Sequence, residues 1–391
     1  MPPDHELDGS DAGGQFIRSA LALAVLRNES IRIESVRGDR PTPGLRHQHL
    51  AVLETMAQLC DADISGGELG SETVEFDPSL ESTDGATDWQ SRGPGSLPGG
   101  EYAVDIDTAG SVTLLFDAVL PLATILESRL TVTVTGGTDV KWSPPLEYFR
   151  QVKLPFLRRH RLSASCEVER RGFYPDGGGR VTLHVDPSSV EPIDSTERGE
   201  LEGVRLYSTE SESLADRDVA HRQAEGALER LGIGTEVSVG NGGPDGRALE
   251  LLERREEAVA SPSPGSAIVL RLDHTRGVAG FSALGERGKP AERVGEDAAD
   301  ELLRFLERGA ASDEPAPPID RHLADQLVVF LALAGGRLRV PSVSDHVASS
   351  CELLAEFGGS VDVDRSAVSD DGAETSDTAP AVLSVDSRLV G

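Results

Sequence analysis

Strand-like and helix-like patterns alternate along this chain, and that alternation limits the folds it can form. Residues 13–28 carry apolar side chains at helical spacing, whereas "IRIESV" (31–36) alternates apolar and polar residues as a strand does. A helix pattern returns over residues 43–60, with Pro43 expected at the helix start, where a missing N–H costs little. "SRLTVTVTGG" (128–137) again indicates a strand. The alternation predicts an α/β fold.

The pattern changes in the middle of the chain, where long acidic loops surround one clear helix, "DVAHRQAEGALERLG" (218–232). We therefore predict three parts: a first core part (1–185), an inserted small α/β unit (186–280) and a C-terminal core part (281–391). Residues 78–100 are rich in Pro, Gly and Ser, which predicts a surface insertion.

The charge of the 391-residue chain is unusual. Its formal net charge is −30 at pH 7, and its 37 basic residues include just three lysines, Lys141, Lys153 and Lys289. An acid excess with so little lysine suits a cytoplasm of very high salt, which screens self-repulsion, and so predicts a halophilic protein. The charge does not exclude a nucleic-acid ligand, because a local basic site can lie within an acidic surface.

Cysteines and apolar runs exclude several classes of protein. Cys60, Cys166 and Cys351 are widely spaced and form no CxxC pair, so the sequence indicates neither a zinc site nor a disulfide framework. No apolar run approaches the roughly 18 residues of a membrane span. We expect no membrane partner and a cytoplasmic location.

"RGDRPTPGLRHQH" (37–49) gathers three arginines, two histidines and a glutamine around two prolines. A core helix needs none of these side chains, and a solvated loop seldom concentrates so many hydrogen-bond donors. The stretch predicts a site for an anion, since guanidinium groups match phosphate and carboxylate geometry.

"DGSDAGGQ" (8–15) places Asp8, Asp11 and a Gly-Gly turn directly before a helix pattern. Backbone N–H groups at a helix start favour phosphate, and a nearby carboxylate can hold the accompanying cation. The alternative is that the aspartate only caps the helix. The stretch lacks the GK[ST] of a P-loop and the glycine spacing of a dinucleotide-binding turn.

The lysines exclude one kind of covalent chemistry. Many nucleotidyl transferases form a lysine–AMP adduct within a K-x-D-G motif, and "KWSP", "KLPF" and "KPAE" do not match it. If the chain activates a phosphate through a covalent adduct, histidine is the natural nucleophile, because neutral imidazole attacks phosphorus and leaves again.

Six stretches in the same order resemble the RNA 3′-terminal phosphate cyclase family. They cover the chain from about Leu7 to Gly359: "LDGSDAGGQFIRSALALAVL", "SVRGDRPTPGLRHQHL", "TAGSVTLLFDAVLP", "GGTDVKWSPP", "RGFYPDGGGRVTLHV" and "HLADQLVVFLALAGG". The resemblance implies repeated α/β modules, each a pair of helices on a four-stranded sheet, with a small inserted domain. It also implies ATP and a divalent metal (Mg²⁺ or Mn²⁺) as cofactors, and RNA with a 3′-phosphate end as the partner. The product would be a 2′,3′-cyclic phosphate, with AMP and pyrophosphate released.

The resemblance also implies roles for individual residues. His346 in "VSDHVASS" matches the nucleophilic histidine that would carry AMP, although Ser349-Ser350 replace the family's usual Thr-Asn after it. Asp11 matches a metal-binding glutamate, on a loop two residues shorter than the family's. The nucleotide would be bound by six residues: Arg18, Pro144, Tyr148, His322, Asp325 and Gln326. Three more would hold the phosphate of the RNA end: Arg37, Arg40 and Gln48.

Arg46, His47 and His49 have no role assigned by the resemblance, and the two histidines are interpreted as packing or supporting groups. A different class of function stays open, a catalytically silent cyclase-like scaffold in ribosomal-RNA processing. That branch lacks the nucleophilic histidine, so His346 favours the enzyme.

Overall fold

A computed structural model describes the protein at residues 2–11, 13–80, 95–107, 109–234, 249–310, 315–365 and 379–389. It contains small four-stranded sheets, each packed against helices, so the predicted α/β fold is confirmed. Most of the predicted surface insertion at 78–100 lies outside the described residues.

The first unit comprises six elements: β1 (His5–Asp8), α1 (Gly14–Arg27), β2 (Ile31–Glu34), α2 (His47–Cys60), β3 (Asp63–Ser65) and β4 (Val74–Asp77). The strands are arranged β1-β2-β4-β3, with β1 parallel to β2 and the other pairs antiparallel. Helix α1 is apolar over most of its length because it packs at the centre of the molecule, where Leu21, Leu23 and Leu26 are fully buried.

The second unit comprises β5 (Gly100–Asp105), α3 (Val112–Val119), β6 (Leu130–Gly136), α4 (Leu146–Tyr148), α5 (Leu154–Arg159), β7 (Ala164–Arg170) and β8 (Gly179–Val185). A π-helical turn, Phe149–Lys153, joins α4 to α5. The strand order β5-β6-β8-β7, with β5 parallel to β6, repeats the arrangement of the first unit.

An inserted unit follows β9 (Ile193–Ser195). It comprises β10 (Leu201–Ser211), α6 (Val219–Leu231), β11 (Leu251–Val259), β12 (Ser266–His274), β13 (Gly277–Leu284) and α7 (Ala291–Ala310). Its sheet order is β11-β10-β12-β13. The apolar side chains that it buries beneath α6 and α7 form a separate cluster, whereas Tyr207, Val269 and Val278 join the main core.

The third unit begins with β9 and continues after the insertion. Its remaining elements are α8 (Arg321–Ala334), β14 (Gly336–Val340), α9 (Asp345–Glu356), β15 (Asp362–Arg365) and β16 (Ala381–Val385). β9 pairs in parallel with β14, and the order β9-β14-β16-β15 matches the first two units. In the described part of the chain, the core therefore consists of three repeats of one β-α-β-α-β-β pattern.

We propose other limits for the inserted unit, which was predicted at 186–280. β9 lies within 186–200 but pairs with β14 of the third repeat, because its parallel partner is there. Helix α7, assigned above to the C-terminal core, packs on α6 and covers the inserted sheet. On these contacts we place the unit at residues 201–310.

Helix α2 begins at His47, so the expectation that Pro43 starts this helix is wrong. Gly44 occupies a left-handed turn at φ +77, and its N–H donates to the Val36 carbonyl at 2.7 Å. This hydrogen bond closes the loop that residues 37–46 form before the helix. Among the described residues, no helix is long and apolar enough to cross a membrane.

Candidate active site

The three repeats meet around a cavity of about 730 Å³. Each repeat contributes the start of its first helix: Gly13 and Gly14 at α1, Gly110 and Ser111 at α3, and His322 at α8. Helix N-termini carry unpaired N–H groups and a partial positive charge. The cavity is therefore suited to an anionic ligand.

Two glycines allow side chains to approach the start of α1. A methyl group on Gly13 would lie 3.5 Å from His346 Cε1 and 3.9 Å from Arg40 Nη2. A methyl group on Gly14 would lie only 2.7 Å from His49 Nε2, so a larger residue cannot be accommodated without a shift. The Gly-Gly pair thus brings His346 of the third repeat next to cationic side chains of the first.

Four arginines line the cavity, and none forms an ion pair with a carboxylate in the described ranges: Arg18, Arg37, Arg40 and Arg46. Burial lowers the pKa of Arg18 to about 10, against the opposing effect of Asp117, so Arg18 is still charged at neutral pH. Burial also lowers the pKa of Arg37, as do the charges of Arg46 and Arg40. Like charges gathered with no carboxylate at ion-pair distance favour binding of a polyanion.

The loop before α2 fixes Arg37. Its backbone has a φ of +56, and its Nη1 donates to the carbonyls of Thr42 at 2.9 Å and Gly44 at 3.2 Å. These bonds use one side of the guanidinium and orient the group along the cavity wall. The loop predicted to bind an anion is thus held in shape by one of its own arginines.

His49 is buried and neutral. The Arg46 backbone N–H donates to its Nδ1 at 3.2 Å. Burial, together with the charges of Arg18, Arg37 and Arg46, lowers the pKa of His49 to about 3. Because Nδ1 accepts, the single ring proton lies on Nε2, the atom nearest Gly14.

Gln48 connects the first repeat to the second. Its Nε2 donates to the Ser111 carbonyl at 3.1 Å. Its Oε1 is buried and has no hydrogen-bond partner within the described residues. This unpaired acceptor lies in the cavity wall, next to Gly110, and is closed to solvent.

A buried ion pair forms part of the second repeat's wall. Lys153 is 1% exposed, pairs with Asp117, and lies 5.6 Å from the centre of the Phe330 ring. Burial lowers the pKa of Lys153, and the charge of Asp117 opposes that effect. The pair joins the second repeat to α8 of the third.

The third repeat presents both of its helix starts. Ser344 caps α9 by accepting from the Val347 N–H at 3.2 Å, and its hydroxyl donates to Asp325. Burial raises the pKa of Asp325, while Ser344 and the nearby His346 act in the opposite direction. His346, in the first turn of α9, has an exposed side chain within the cavity.

Sequence comparisons agree with this arrangement. A family model described as RNA 3′-terminal phosphate cyclase matches residues 10–361. A relative of that name from Halobacterium salinarum is 44% identical, covering 94% of this chain and 98% of its own length. Relatives of that name from Methanopyrus kandleri and Pyrococcus furiosus are 39% and 36% identical, over 90% and 91% of this chain and 92% and 93% of their own lengths.

The chain belongs to the RNA 3′-terminal phosphate cyclase family. The family resemblance drawn from six motifs is confirmed, and five of those motifs supply lining residues of the cavity, which come from all three repeats.

Nine of the residues that the cyclase resemblance assigned to a site line this cavity: Arg18, Arg37, Arg40, Gln48, Pro144, His322, Asp325, Gln326 and His346. They come from positions more than 300 residues apart in the sequence. Their roles in the reaction stay predictions, but the fold brings them together.

Tyr148, predicted to bind the nucleotide, does not line the cavity. It is 1% exposed, and its hydroxyl donates to Asp320 at 2.7 Å. Its ring contacts His322 edge to face, with centroids 6.4 Å apart. Tyr148 thus supports His322 from behind, because Asp320 also caps α8 through the Leu323 N–H.

Asp11, predicted to bind a metal, is exposed and does not line the cavity. Its carboxyl group neighbours that of Asp39 and raises the pKa of Asp39, and the charge of Asp8 adds to that effect. No group of three or more His, Cys, Asp or Glu residues suited to a metal occurs in the described residues. A divalent ion here would need oxygen ligands from the substrate, which is common for Mg²⁺.

Sequence reasoning missed several residues of the cavity. Lys153 was set aside because no lysine motif fits, yet it forms a buried ion pair there. Arg46 and His49 line the cavity as well, although Arg46 was given no role and His49 was interpreted only as a packing or supporting group. The concentration of donors in "RGDRPTPGLRHQH" was the signal for these two, and nothing comparable surrounds Lys153.

Proposed function

We propose that this chain converts an RNA 3′-terminal phosphate to a 2′,3′-cyclic phosphate in an ATP-dependent reaction, through a covalent histidine–AMP intermediate. One observation carries the proposal: His346 lies in the same cavity as four arginines that have no carboxylate partner among the described residues. Transfer between two phosphates requires a nucleophile beside cationic groups that are free to bind phosphate.

In the first step, an imidazole nitrogen of His346 attacks the α-phosphorus of ATP. The bond from that phosphorus to the bridging oxygen of pyrophosphate breaks, and its electron pair leaves with pyrophosphate. The exposed ring of His346, near Gly13 and Arg40, gives a phosphate access to it. The start of α9 adds partial positive charge at this point.

In the second step, an oxygen of the RNA 3′-phosphate attacks the phosphorus of the histidine adduct, and the N–P bond breaks. AMP is now joined to the RNA end. The neighbouring 2′-oxygen then attacks the 3′-phosphorus, its proton is lost, and AMP leaves. Holding the 2′-oxygen close to an activated phosphate supplies much of the acceleration.

The arginines would hold the phosphates, with Arg37 and Arg40 at the RNA end and Arg18 at the nucleotide. Gln48 would position the RNA end beside Arg37 and Arg40. Its buried Oε1 is an acceptor, so it suits a 2′-hydroxyl rather than a phosphate once the side chain turns toward the ligand. Pro144 and His322 would flank the adenine, and Asp325 and Gln326 would supply polar contacts beside it.

Asp11 would hold a divalent metal ion, Mg²⁺ or Mn²⁺, together with oxygens of the triphosphate. The proximity of Asp11 and Asp39, which raises the pKa of Asp39, fits this role, because two adjacent carboxylates attract a cation. Such an ion neutralises charge on the pyrophosphate leaving group. The cytoplasmic location stays a prediction.

The deciding experiment is to map the AMP adduct. The protein is incubated with ATP labelled at the α-phosphate and a divalent metal, and labelled peptides are identified. We expect AMP on His346 through an acid-labile, alkali-stable bond. His346→Ala is expected to abolish both the adduct and cyclisation.

His322→Ala is the matched control, since this histidine lies in the same cavity. It is expected to weaken ATP binding by about 1 kcal/mol through lost stacking while the adduct still forms. AMP on His322, or no AMP uptake by the wild type, would overturn the mechanism. A catalytically silent scaffold would give the latter result, and the presence of His346 in the cavity argues against it.

The metal role of Asp11 has its own test. Asp11→Asn removes the charge and keeps the size, so we expect half-maximal adduct formation to need a higher metal concentration. Asp77→Asn, a change in β4, is a control in which the metal titration should not move. An unchanged titration in Asp11→Asn would return Asp11 to a role at the start of α1.

A further inference from the structure

Two exposed aromatic side chains lie beside the cavity: Trp142, on its wall, and Tyr174, which contacts Trp142. Within the described residues, Trp142 and Tyr174 are the only aromatics among the large apolar side chains with high exposure, at 88% and 43%. Their rings contact each other edge to face, with centroids 6.3 Å apart and planes at 86°. Aromatic residues make up only 4% of the sequence, so an exposed pair is conspicuous.

This aromatic pair is continuous with the candidate active site. Trp142 lines the cavity together with its neighbours Val140, Lys141 and Pro144. Its high exposure means that most of the indole projects from the wall toward solvent. A ligand that fills the cavity and continues outward would therefore pass this ring.

The two loops that carry the aromatic pair are fixed to each other. Tyr174 N–H donates to the Asp139 carbonyl at 3.1 Å, and Thr138 N–H donates to the Gly172 carbonyl at 2.7 Å. Below them, Arg171 forms a buried ion pair with Asp139, with Nε 3.0 Å from Oδ2. The rings are thus presented on a rigid base, which lowers the entropy lost on binding.

The backbone of Trp142 supports a functional reading. Its φ of +64 lies in the left-handed region, which a bulky residue rarely adopts and which costs free energy. The exposed ring gains little burial in return. A ligand that covers the indole would explain why the backbone holds Trp142 in a conformation that costs free energy and exposes the ring.

A cation accompanies the aromatic pair. Lys141 Nζ lies 5.5 Å from the centre of the Tyr174 ring and 3.0 Å from Glu286 Oε1. Its side chain is 39% exposed, so a strand passing the rings can reach the ammonium group. Stacking rings beside a positive charge are the usual means of binding single-stranded nucleic acid.

We propose that Trp142 and Tyr174 form a stacking site for a nucleobase within the last two nucleotides of the RNA, with Lys141 near the backbone phosphate. This inference rests on the proposed function, because it assumes an RNA end in the cavity. The adenine of ATP is the competing occupant. RNA is favoured because the exposed rings lie at the outer edge of the cavity. A polymer whose end is bound inside must pass this edge, whereas a mononucleotide can be bound entirely within the cavity. A stacked base carries little sequence preference.

The kinetic test compares Trp142→Ala with the wild type on a 3′-phosphorylated oligoribonucleotide. We expect KM for RNA to rise roughly tenfold, within the range of one lost base stack, with kcat changed by less than about twofold. Trp142→Phe is expected to recover part of the loss. Leu69→Ala removes an exposed apolar side chain outside the cavity and serves as the matched control. An unchanged KM for RNA in Trp142→Ala would overturn the proposal.

A second substrate separates stacking from an effect on the loop. When the last two nucleotides are abasic, the wild type should lose the same affinity, and Trp142→Ala should add nothing further. A full additional loss in Trp142→Ala would mean that the indole acts through the loop and would overturn the proposal. A raised KM for ATP with an unchanged KM for RNA would assign the rings to adenine instead.

Fluorescence tests binding without turnover. The chain has two tryptophans, Trp89 and Trp142, so Trp89→Phe leaves Trp142 as the only indole. Without ATP, the 3′-phosphorylated oligomer should quench this fluorescence, and its abasic form should not. Quenching by ATP but not by RNA would overturn the proposal. If the oligomer quenches but the wild type takes up no AMP, the stacking site stands and the proposed function fails.

Discussion

The arginines of the cavity and those of the inserted unit have the same side chain but different surroundings. In the inserted unit, Arg205 bonds Asp273 and Glu253, and Arg222 forms two parallel hydrogen bonds with Glu292. In the cavity, Arg40 and its neighbours have no carboxylate partner in the described parts of the chain. Arginine content alone therefore says little about function in this acidic protein. The missing counter-charge distinguishes a binding site from a surface ion-pair network.

Two physical consequences follow from this difference. Exposed ion pairs such as Arg222–Glu292 contribute little net stability, because solvent screens them. The grouped cations of the cavity repel each other, as the lowered pKa of Arg37 beside Arg46 and Arg40 shows. A bound polyanion would relieve that repulsion. The grouped arginines therefore lower the stability of the free protein and raise its affinity for the ligand.

The largest expected effect is on stability, at the ion pair between Lys153 and Asp117. Like the arginines of the inserted unit, Lys153 has a carboxylate partner, but this pair is buried in the cavity wall. Lys153→Met would leave Asp117 without its partner at only 13% exposure, which should cost about 3 kcal/mol or more of unfolding free energy. Lys289→Met, which breaks the partly exposed pair with Asp297, should cost about 1 kcal/mol or less. Chemical denaturation measures both.

The double variant Lys153→Met/Asp117→Asn tests the cause. Removing the stranded charge should recover part of the loss. A double variant no more stable than Lys153→Met would show that lost packing of the lysine stem, rather than an unpaired carboxylate, is responsible.

The second prediction compares an arginine of the cavity with a paired arginine of the inserted unit. Arg40→Ala should raise KM for RNA by roughly ten- to a hundredfold, the equivalent of a charge-assisted hydrogen bond of about 1.5–3 kcal/mol. Arg230→Ala removes an exposed arginine paired with Asp300 in the inserted unit and should leave cyclisation within about twofold. Steady-state kinetics with a 3′-phosphorylated oligomer measures both. Equal effects would mean that the missing counter-charge is not what makes the site.

The third prediction concerns protons. The pKa of His49 is about 3 in the folded protein, below its ordinary value of 6.5, so the unfolded chain binds the proton more tightly. The stability that His49 contributes is therefore complete above about pH 6.5 and falls as the pH decreases toward 3. From pH 6.5 to 5 the loss is about 2 kcal/mol, at 1.36 kcal/mol for each pH unit.

The pH effect is measured as a difference between variants. His49→Gln lacks the group, so its deficit in melting temperature relative to the wild type should shrink from pH 7 to pH 5. Leu69→Ala, at an exposed residue without a titratable group, is the control with a constant difference. A His49→Gln deficit that stays constant or grows on acidification would contradict a neutral buried His49.

Much of the site could be predicted because its chemistry is concentrated in short stretches. Arg37, Arg40 and Gln48 stand within twelve residues, and His346 was selected by its motif and by elimination of the lysines. The errors have physical causes. Pro43 fits a helix start as well as a turn, and a tyrosine looks the same in sequence whether its ring faces a ligand or, like Tyr148, supports a neighbour.

By itself, the sequence determined the alternation of strands and helices, the family and the residues able to bind phosphate, because periodicity and side-chain chemistry are local properties. Only the tertiary structure showed that three repeats with one strand order direct helix starts into a shared cavity, and that β9 pairs with β14 across the inserted unit. It also decided which arginines lack a counter-charge. Those outcomes depend on contacts between residues hundreds of positions apart, which no local pattern specifies.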